Sequence, residues 1–132
     1  MKTKTLKQTV EFDATPKEVY ELLMDANKYE SFAGEVSISR EVRGEFEVFD
    51  GYCHGYNIQL IDGKKIVQAW NFAEEGWPEE HYSICTFVFE AIPNGTLMTF
   101  TQTELPKHAY EEVASGWYEF YWEPMKEVLA EK

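Results

Sequence analysis

The residues in this sequence best suited to acid–base chemistry are two carboxylates followed by an imidazole. Glu79, Glu80 and His81 are consecutive, with Trp77 and Tyr82 close on either side. A carboxylate and an imidazole beside aromatic rings could move protons to and from a bound ligand, as in a cyclase- or hydrolase-like enzyme. The same residues fit a solvated loop with a histidine at the start of a strand. Because short matches of this kind often arise by chance, we favour the loop and expect no catalytic residue here.

Metal-ligating side chains are present but lack the spacing of a metal site. The candidates are Cys53, His54, His81, Cys85 and His108. No two of them have a structural zinc spacing such as Cys-x2-Cys, and the adjacent Cys53 and His54 would point to opposite faces of a strand. We therefore predict no metal and no cofactor, and we expect both cysteines to be buried free thiols.

Aromatic residues make up 16% of the chain, and their positions suggest a ligand cavity. If strands and helix follow their hydrophobic patterns, several large side chains share the space between a sheet and a helix. The predicted cavity residues are Tyr56, Gln68, Trp70, Phe87, Phe100, Gln102, Trp117 and Tyr121. They could enclose a small hydrophobic ligand, with the glutamines and tyrosine hydroxyls as polar contacts. That these rings simply fill the core fits the sequence equally well.

Acidic residues cluster around a tryptophan in one segment. Between Ile66 and Pro106 there is no Lys or Arg. The predicted partner-binding residues are Glu74, Glu75, Trp77, Glu79, Glu80 and His81. An exposed tryptophan among carboxylates would suit docking onto a basic protein surface. The alternative is a solubilising loop with Trp77 packed beneath the sheet, and charge runs are more commonly solvated faces of this kind.

Composition limits the class of protein. The 132 residues fit one domain, 1–132, and 44% of them are hydrophobic, which is enough for one core. With 24 acidic and 12 basic residues the net charge is −12, so we expect no binding to nucleic acid or to anionic membranes. No long apolar run or signal-like N-terminus is present. These features predict an acidic, soluble, cytoplasmic protein.

The spacing of hydrophobic residues along the chain predicts strands and helices in a definite order. A strand at 6–12 precedes Thr15, Pro16 and Glu18, which have the spacing of a capping box and predict a helix at 16–25. A second short helix is expected at 27–32. Turn signals then separate six predicted strands, at 36–42, 45–49, 53–61, 64–72, 82–92 and 96–105. A helical pattern at 110–130 closes the sequence, with a kink expected at Pro124.

This order predicts an α+β helix-grip fold. Seven mostly antiparallel strands give a curved sheet with one face to cover, and the long C-terminal helix is the element available to cover it. The two short helices follow the first strand. The predicted cavity residues would then lie between the sheet and the long helix.

Three segments of the sequence resemble a known family. They are Phe49-Asp-Gly-Tyr-Cys-His-Gly55, then Trp70-Asn-Phe72 with Gly76-Trp-Pro-Glu-Glu-His-Tyr82, and Gly116-Trp-Tyr-Glu-Phe-Tyr-Trp-Glu123. Together they are similar to the C-terminal domain of the activator of heat shock protein 90 ATPase family, within the START-like helix-grip superfamily. The resemblance covers nearly the whole chain. It does not include the additional N-terminal domain of the eukaryotic co-chaperones.

The resemblance implies a helix-grip fold and a non-enzymatic binding domain that contacts a heat shock protein 90 family chaperone. In that hypothesis the acidic residues around Trp77 form the contact. The alternative is a carrier or sensor of a small hydrophobic ligand in the cavity between sheet and helix. The third hypothesis is the enzyme, which requires Glu79, Glu80 and His81 to face inward.

Overall fold

The computed structural model describes residues 1–130, which form seven strands and four helices. The strands are β1 (Thr3–Phe12), β2 (Val36–Ile38), β3 (Glu45–Val48), β4 (Cys53–Ile61), β5 (Lys65–Phe72), β6 (Ser83–Ile92) and β7 (Gly95–Pro106). The helices are α1 (Pro16–Met24), α2 (Ala26–Ala33), α3 (Tyr110–Trp117) and α4 (Glu123–Ala130). A short 3₁₀ turn, Lys107–Ala109, precedes α3, and a π-helical turn, Tyr118–Trp122, joins α3 to α4.

All seven strands pair antiparallel in one sheet, in the order β1-β7-β6-β5-β4-β3-β2. The sheet curves around the C-terminal helix, and α1 and α2 follow β1. The predicted helix-grip fold is therefore confirmed. No helix within residues 1–130 has the length and apolar character needed to cross a membrane.

Local side-chain chemistry fixes the helix that follows β1. Thr15 Oγ1 accepts a hydrogen bond from the Glu18 backbone N–H, and Glu18 Oε1 accepts one from the Thr15 N–H, at 3.2 and 2.9 Å. This is the predicted capping box, with Pro16 in the first turn. Asp25 ends α1 and caps α2, because its carboxylate accepts from the Lys28 N–H.

The strand predicted at 36–42 is wrong beyond Ile38, where β2 ends. The reason is the buried side chain of Asn57 on β4. Its Nδ2 donates to the carbonyls of Ser39 and Glu41, at 2.8 and 3.0 Å, and thereby holds the chain in a loop. Arg43 then adopts a left-handed backbone, with φ of 72°, which no regular strand contains.

The kink expected at Pro124 takes the form of the π-helical turn. The Glu123 N–H donates to the Tyr118 carbonyl, five residues back instead of four. Pro124 has no N–H, and in a regular α-helix its ring would crowd the carbonyl of Phe120. The wider turn just before Pro124 relieves that conflict. It also turns both Tyr121 and Trp122 toward the sheet, where both are buried.

Candidate functional site

One apolar pocket opens between the sheet and the C-terminal helix. Its volume is about 310 Å³, at the lower end of the range typical of ligand pockets. Its lining comes from the β3–β4 turn, β4, β5, the segment after β5, α3 and the π-helical turn. The lining residues are Phe49, Tyr52, Cys53, Trp70, Phe72, Glu74, Glu112, Val113, Gly116, Trp117, Phe120 and Tyr121.

Three predicted cavity residues line this pocket. Trp70 comes from β5, Trp117 from α3 and Tyr121 from the π-helical turn, and all three are buried. The rings of Trp70 and Trp117 meet edge to face, with centroids 5.1 Å apart, and Tyr121 lies 4.7 Å from Trp117. These rings form a continuous aromatic wall at the inner end of the pocket.

The two glutamines expected as ligand contacts are instead hydrogen-bonded to tryptophan side chains. Gln68 Oε1 accepts from the Trp70 indole N–H at 2.9 Å, and Gln102 Oε1 accepts from the Trp117 indole N–H at 2.8 Å. The Gln102 amide donates in turn to Ser83 Oγ, at 2.8 Å. Neither glutamine lines the pocket. A buried indole N–H needs an acceptor, and these glutamines supply it.

The remaining predicted cavity residues lie elsewhere. Phe87 and Phe100 are buried and pack on each other, with centroids 5.1 Å apart, in the core beyond the pocket. Tyr56 was expected to face the helix, and this is wrong. It is 40% exposed and packs on Tyr82, because the alternation along β4 puts Gly55 on the inner face. A Cβ at Gly55 would lie 1.7 Å from the Ala69 carbonyl oxygen.

Two carboxylates and a phenol form the mouth of the pocket. Glu74, just after β5, lies beside the side chain of Glu112 of α3 and the hydroxyl of Tyr52. Partial burial raises the pKa of Glu74, and the neighbouring Glu112 carboxylate raises it further. His108 lies close enough to oppose that rise. Among the described residues that line the pocket, Glu74 and Glu112 carry the only formal charges.

The thiol that lines the pocket is not an activated nucleophile. Burial raises the pKa of Cys53, with a smaller contribution from Glu74, so the thiol stays protonated at neutral pH. Cys85 is also buried and free, as predicted, and β5 separates the two cysteines. Within residues 1–130, no three His, Cys, Asp or Glu side chains are arranged to share a metal ion.

The acidic segment after β5 holds its tryptophan inward. Trp77 is only 6% exposed, and its ring packs on Phe72 with centroids 4.7 Å apart. Its indole N–H donates to the His81 carbonyl at 2.8 Å, and Asn71 Nδ2 donates to the same carbonyl at 2.7 Å. The hypothesis that Trp77 is exposed for partner docking is therefore wrong. The alternative, with Trp77 packed against the sheet, describes the structure.

The charged residues of this segment lie at the surface. Glu75, Glu79 and Glu80 are exposed, and Glu74 is half-buried at the pocket mouth. His81 is half-buried, and its Nε2 lies 2.6 Å from the Glu104 carbonyl oxygen. The enzyme hypothesis requires Glu79, Glu80 and His81 to face inward. The structure places both glutamates at the surface and all three residues outside the pocket lining.

Sequence reasoning missed the outer half of the pocket. Phe49 and Tyr52 come from the β3–β4 turn, and Phe120, 53% exposed, comes from the π-helical turn. Glu112 was not considered because it is far from Glu74 in sequence. Gly116 has open space in front of it, since a Cβ there would meet only Phe120, at 3.9 Å. A glycine in the middle of a helix was the available signal for a pocket wall.

Comparison with known proteins agrees with this architecture. Residues 13–130 match the family described as "Activator of Hsp90 ATPase homolog 1-like protein". An activator of 90 kDa heat shock protein ATPase homolog from Dictyostelium discoideum is 31% identical over 116 residues, covering 87% of this chain and 30% of that protein. Homolog 2 from Mus musculus is 27% identical over 128 residues, covering 96% of this chain and 38% of that protein.

A solved structure shows the same fold. The crystal structure of an HSP90 activator from Plasmodium falciparum superposes with a TM-score of 0.88 at 23% identity, over 96% of each chain. This chain spans about a third of the length of the two curated relatives. On the family match across 13–130, the chain belongs to the Activator of Hsp90 ATPase homolog 1-like family.

Proposed function

We propose that this chain is a single non-enzymatic binding domain that contacts a heat shock protein 90 family chaperone in the cytoplasm. The observation that carries the proposal is the 31% identity with the Dictyostelium ATPase activator homolog across 87% of this chain. The charge distribution adds support, because two carboxylates and exposed aromatic rings meet at the pocket.

The proposed contact is the acidic face, which comprises Glu74, Glu75, Glu79, Glu80 and Glu112. No Lys or Arg interrupts residues 67–105, so this face presents carboxylates without neighbouring basic residues from the same segment. Such a surface attracts a basic partner and raises the rate of encounter.

Exposed aromatic rings adjoin the acidic face. Tyr52 is 42% exposed and Phe120 is 53% exposed, and both stand at the pocket mouth beside Glu74. We propose that these rings provide the apolar part of the contact. Trp77 and His81 then serve a different role. The Trp77 indole bonds to the His81 carbonyl and the His81 ring bonds to the Glu104 carbonyl of β7, and these bonds hold the backbone that carries the acidic side chains.

An amide NMR titration of the labelled chain with a heat shock protein 90 homologue from the same organism tests this proposal. The test variant is Glu79→Lys with Glu80→Lys. The matched control is Glu11→Lys with Glu90→Lys, two exposed residues that flank Leu97 of β7 at the other end of the sheet. Both variants change the net charge equally.

The expected result is shifts or broadening in residues 74–81, lost in the Glu79/Glu80 variant and kept in the control. Because rim charges act on association, the loss should be salt-sensitive and amount to about tenfold or more in affinity. An equal loss of affinity in both variants would show that binding depends only on the net charge of the chain. An unchanged spectrum with the parent chain would contradict the chaperone proposal.

The pocket supports a second candidate function, a carrier or sensor of a small hydrophobic ligand. Gly116→Leu would place a side chain in the pocket mouth, and Ser115→Leu adds the same side chain at the neighbouring exposed position. With 1-naphthylmethanol as probe, the indole N–H signals of Trp70 and Trp117 should shift in the parent and in Ser115→Leu only. Equal shifts in all three proteins would contradict uptake by this pocket.

A further inference from the structure

Among the described residues, most polar groups on the inner wall of the pocket already have hydrogen-bond partners. The Trp70 and Trp117 indole N–H groups already donate to glutamine side chains. The Tyr121 hydroxyl shares a buried hydrogen bond with the hydroxyl of Tyr29. A ligand that enters the pocket therefore meets aromatic faces and edges, a protonated thiol and aliphatic carbon on this side.

The mouth of the pocket has the opposite character. Glu74, Glu112 and the Tyr52 hydroxyl are clustered there, and Glu74 lies beside both of the others. None of the residues that line the pocket, within the chain described by the structure, is a lysine or an arginine. His108 adjoins this cluster without lining the pocket. Two carboxylates held together repel each other, and a cation placed between them would remove that repulsion.

We propose that the pocket selects small organic cations, with an apolar ring or short chain inside and an ammonium group at the mouth between Glu74 and Glu112. This inference deepens the second candidate function and rests on it. The ligand class follows from the charge of the pocket, which lies at Glu74 and Glu112.

Both parts of the site favour this class over neutral or anionic ligands. The carboxylates at the mouth attract an ammonium group and repel an anion. The rings of Phe49 and Phe120 also line the pocket, and a cation gains further attraction from aromatic rings. The volume of about 310 Å³ limits the apolar part to a small group.

Three probes that differ chiefly in charge test the inference: 1-naphthylmethylammonium, 1-naphthylmethanol and 1-naphthylacetate. Their affinities are measured from the indole N–H signals of Trp70 and Trp117 at low ionic strength. We expect the ammonium to bind about tenfold more tightly than the alcohol, and the carboxylate to bind least. Glu74→Gln with Glu112→Gln should abolish the preference, so that the ammonium and the alcohol bind with similar affinity.

Matched variants make each outcome decisive. The double substitution Glu79→Gln with Glu80→Gln makes the same charge change outside the pocket and should keep the preference for the ammonium. Equal binding of ammonium and alcohol by the parent would overturn the cation assignment and leave the carrier function standing. If no probe binds, both the cation assignment and the carrier function are contradicted. A preference that survives Glu74→Gln with Glu112→Gln would overturn the assignment to these two carboxylates.

Discussion

The space between sheet and helix has two ends of different construction. At the packed end, defined by Phe87, Phe100, Gln102 and Trp122, the rings pack on one another, and the ring centroids of Phe100 and Trp117 are 4.6 Å apart. At the open end, defined by Phe49, Tyr52, Gly116 and Phe120, the same helix stands away from the sheet and leaves the pocket. Trp117 borders both ends.

The difference lies in side-chain volume and in polar pairing. The packed end fills its volume with large rings and satisfies each indole N–H, since Trp122 donates to Gln8 at 2.7 Å and Trp117 donates to Gln102. The open end places a glycine where the helix faces the sheet and leaves two carboxylates at its mouth. One helix thus stabilises the fold at one end and shapes a candidate binding site at the other.

The largest expected contrast comes from removing one phenylalanine at each end. Phe100→Ala at the packed end should lower the free energy of unfolding by about 3–5 kcal/mol, because Phe100 is fully buried and its loss leaves a cavity. Phe120→Ala at the open end should change it by less than about 0.5 kcal/mol, because the ring is half exposed. Urea denaturation measures both values.

If Phe100→Ala fails to fold, Phe100→Leu provides the same comparison with a smaller loss. A similar cost for the two alanine variants would contradict the division into a packed and an open end.

The hydrogen bonds of the packed end give the next largest effect. Gln102→Leu should cost about 1–3 kcal/mol, since it leaves the buried Trp117 N–H without an acceptor and Ser83 without a donor. Gln59→Leu, at an exposed position of β4, is the control and should be nearly neutral. Denaturation followed by Trp fluorescence gives both values. A cost for Gln102→Leu no larger than that of the control would show that the bond contributes little.

The fold was predictable because its signals are local. The capping box at Thr15, the Asp-Gly and Asn-Gly turns and the long apolar stripe at 110–130 each specify one element from neighbouring residues. Element order then leaves few topologies for seven antiparallel strands and one long helix. The π-helical turn was predicted only as a kink, because Pro124 shows where a helix is disturbed and not how the disturbance is absorbed.

The pocket was less predictable because its properties depend on pairs distant in sequence. Alternation along β5 and the helical stripe correctly turn Trp70 and Trp117 toward each other. No local pattern reveals that Gln102 accepts from Trp117, or that Glu74 meets Glu112, since these contacts form only when the chain is folded. The exposure of Tyr56 was misjudged because Gly55, not a large side chain, occupies the inner position.

Closing the open end should make the fold more stable. Gly116→Ala should raise the free energy of unfolding by about 0.5–1 kcal/mol, because alanine favours the helix and the new Cβ meets no closer atom than Phe120, at 3.9 Å. Thermal denaturation measures the change. Gly55→Ala is the contrasting variant and should destabilise strongly, because its Cβ would overlap the Ala69 carbonyl. Destabilisation by Gly116→Ala would mean that the open end has no free space at this position.

The smallest expected effect is the pH dependence of ammonium binding at the open end. The pKa of Glu74 is raised by burial and by Glu112, so Glu74 takes up its proton at a higher pH than an exposed glutamate does. Lowering the pH from 8 to 5 should weaken 1-naphthylmethylammonium binding about threefold, because the neutral carboxyl no longer attracts the cation.

The groups facing Glu74 besides Glu112 are the Tyr52 hydroxyl and His108. Glu74→Gln should remove the pH dependence of ammonium binding. Binding of 1-naphthylmethanol should stay constant across the range. A pH dependence that persists unchanged in Glu74→Gln would place the titrating group elsewhere and remove Glu74 from the cation site.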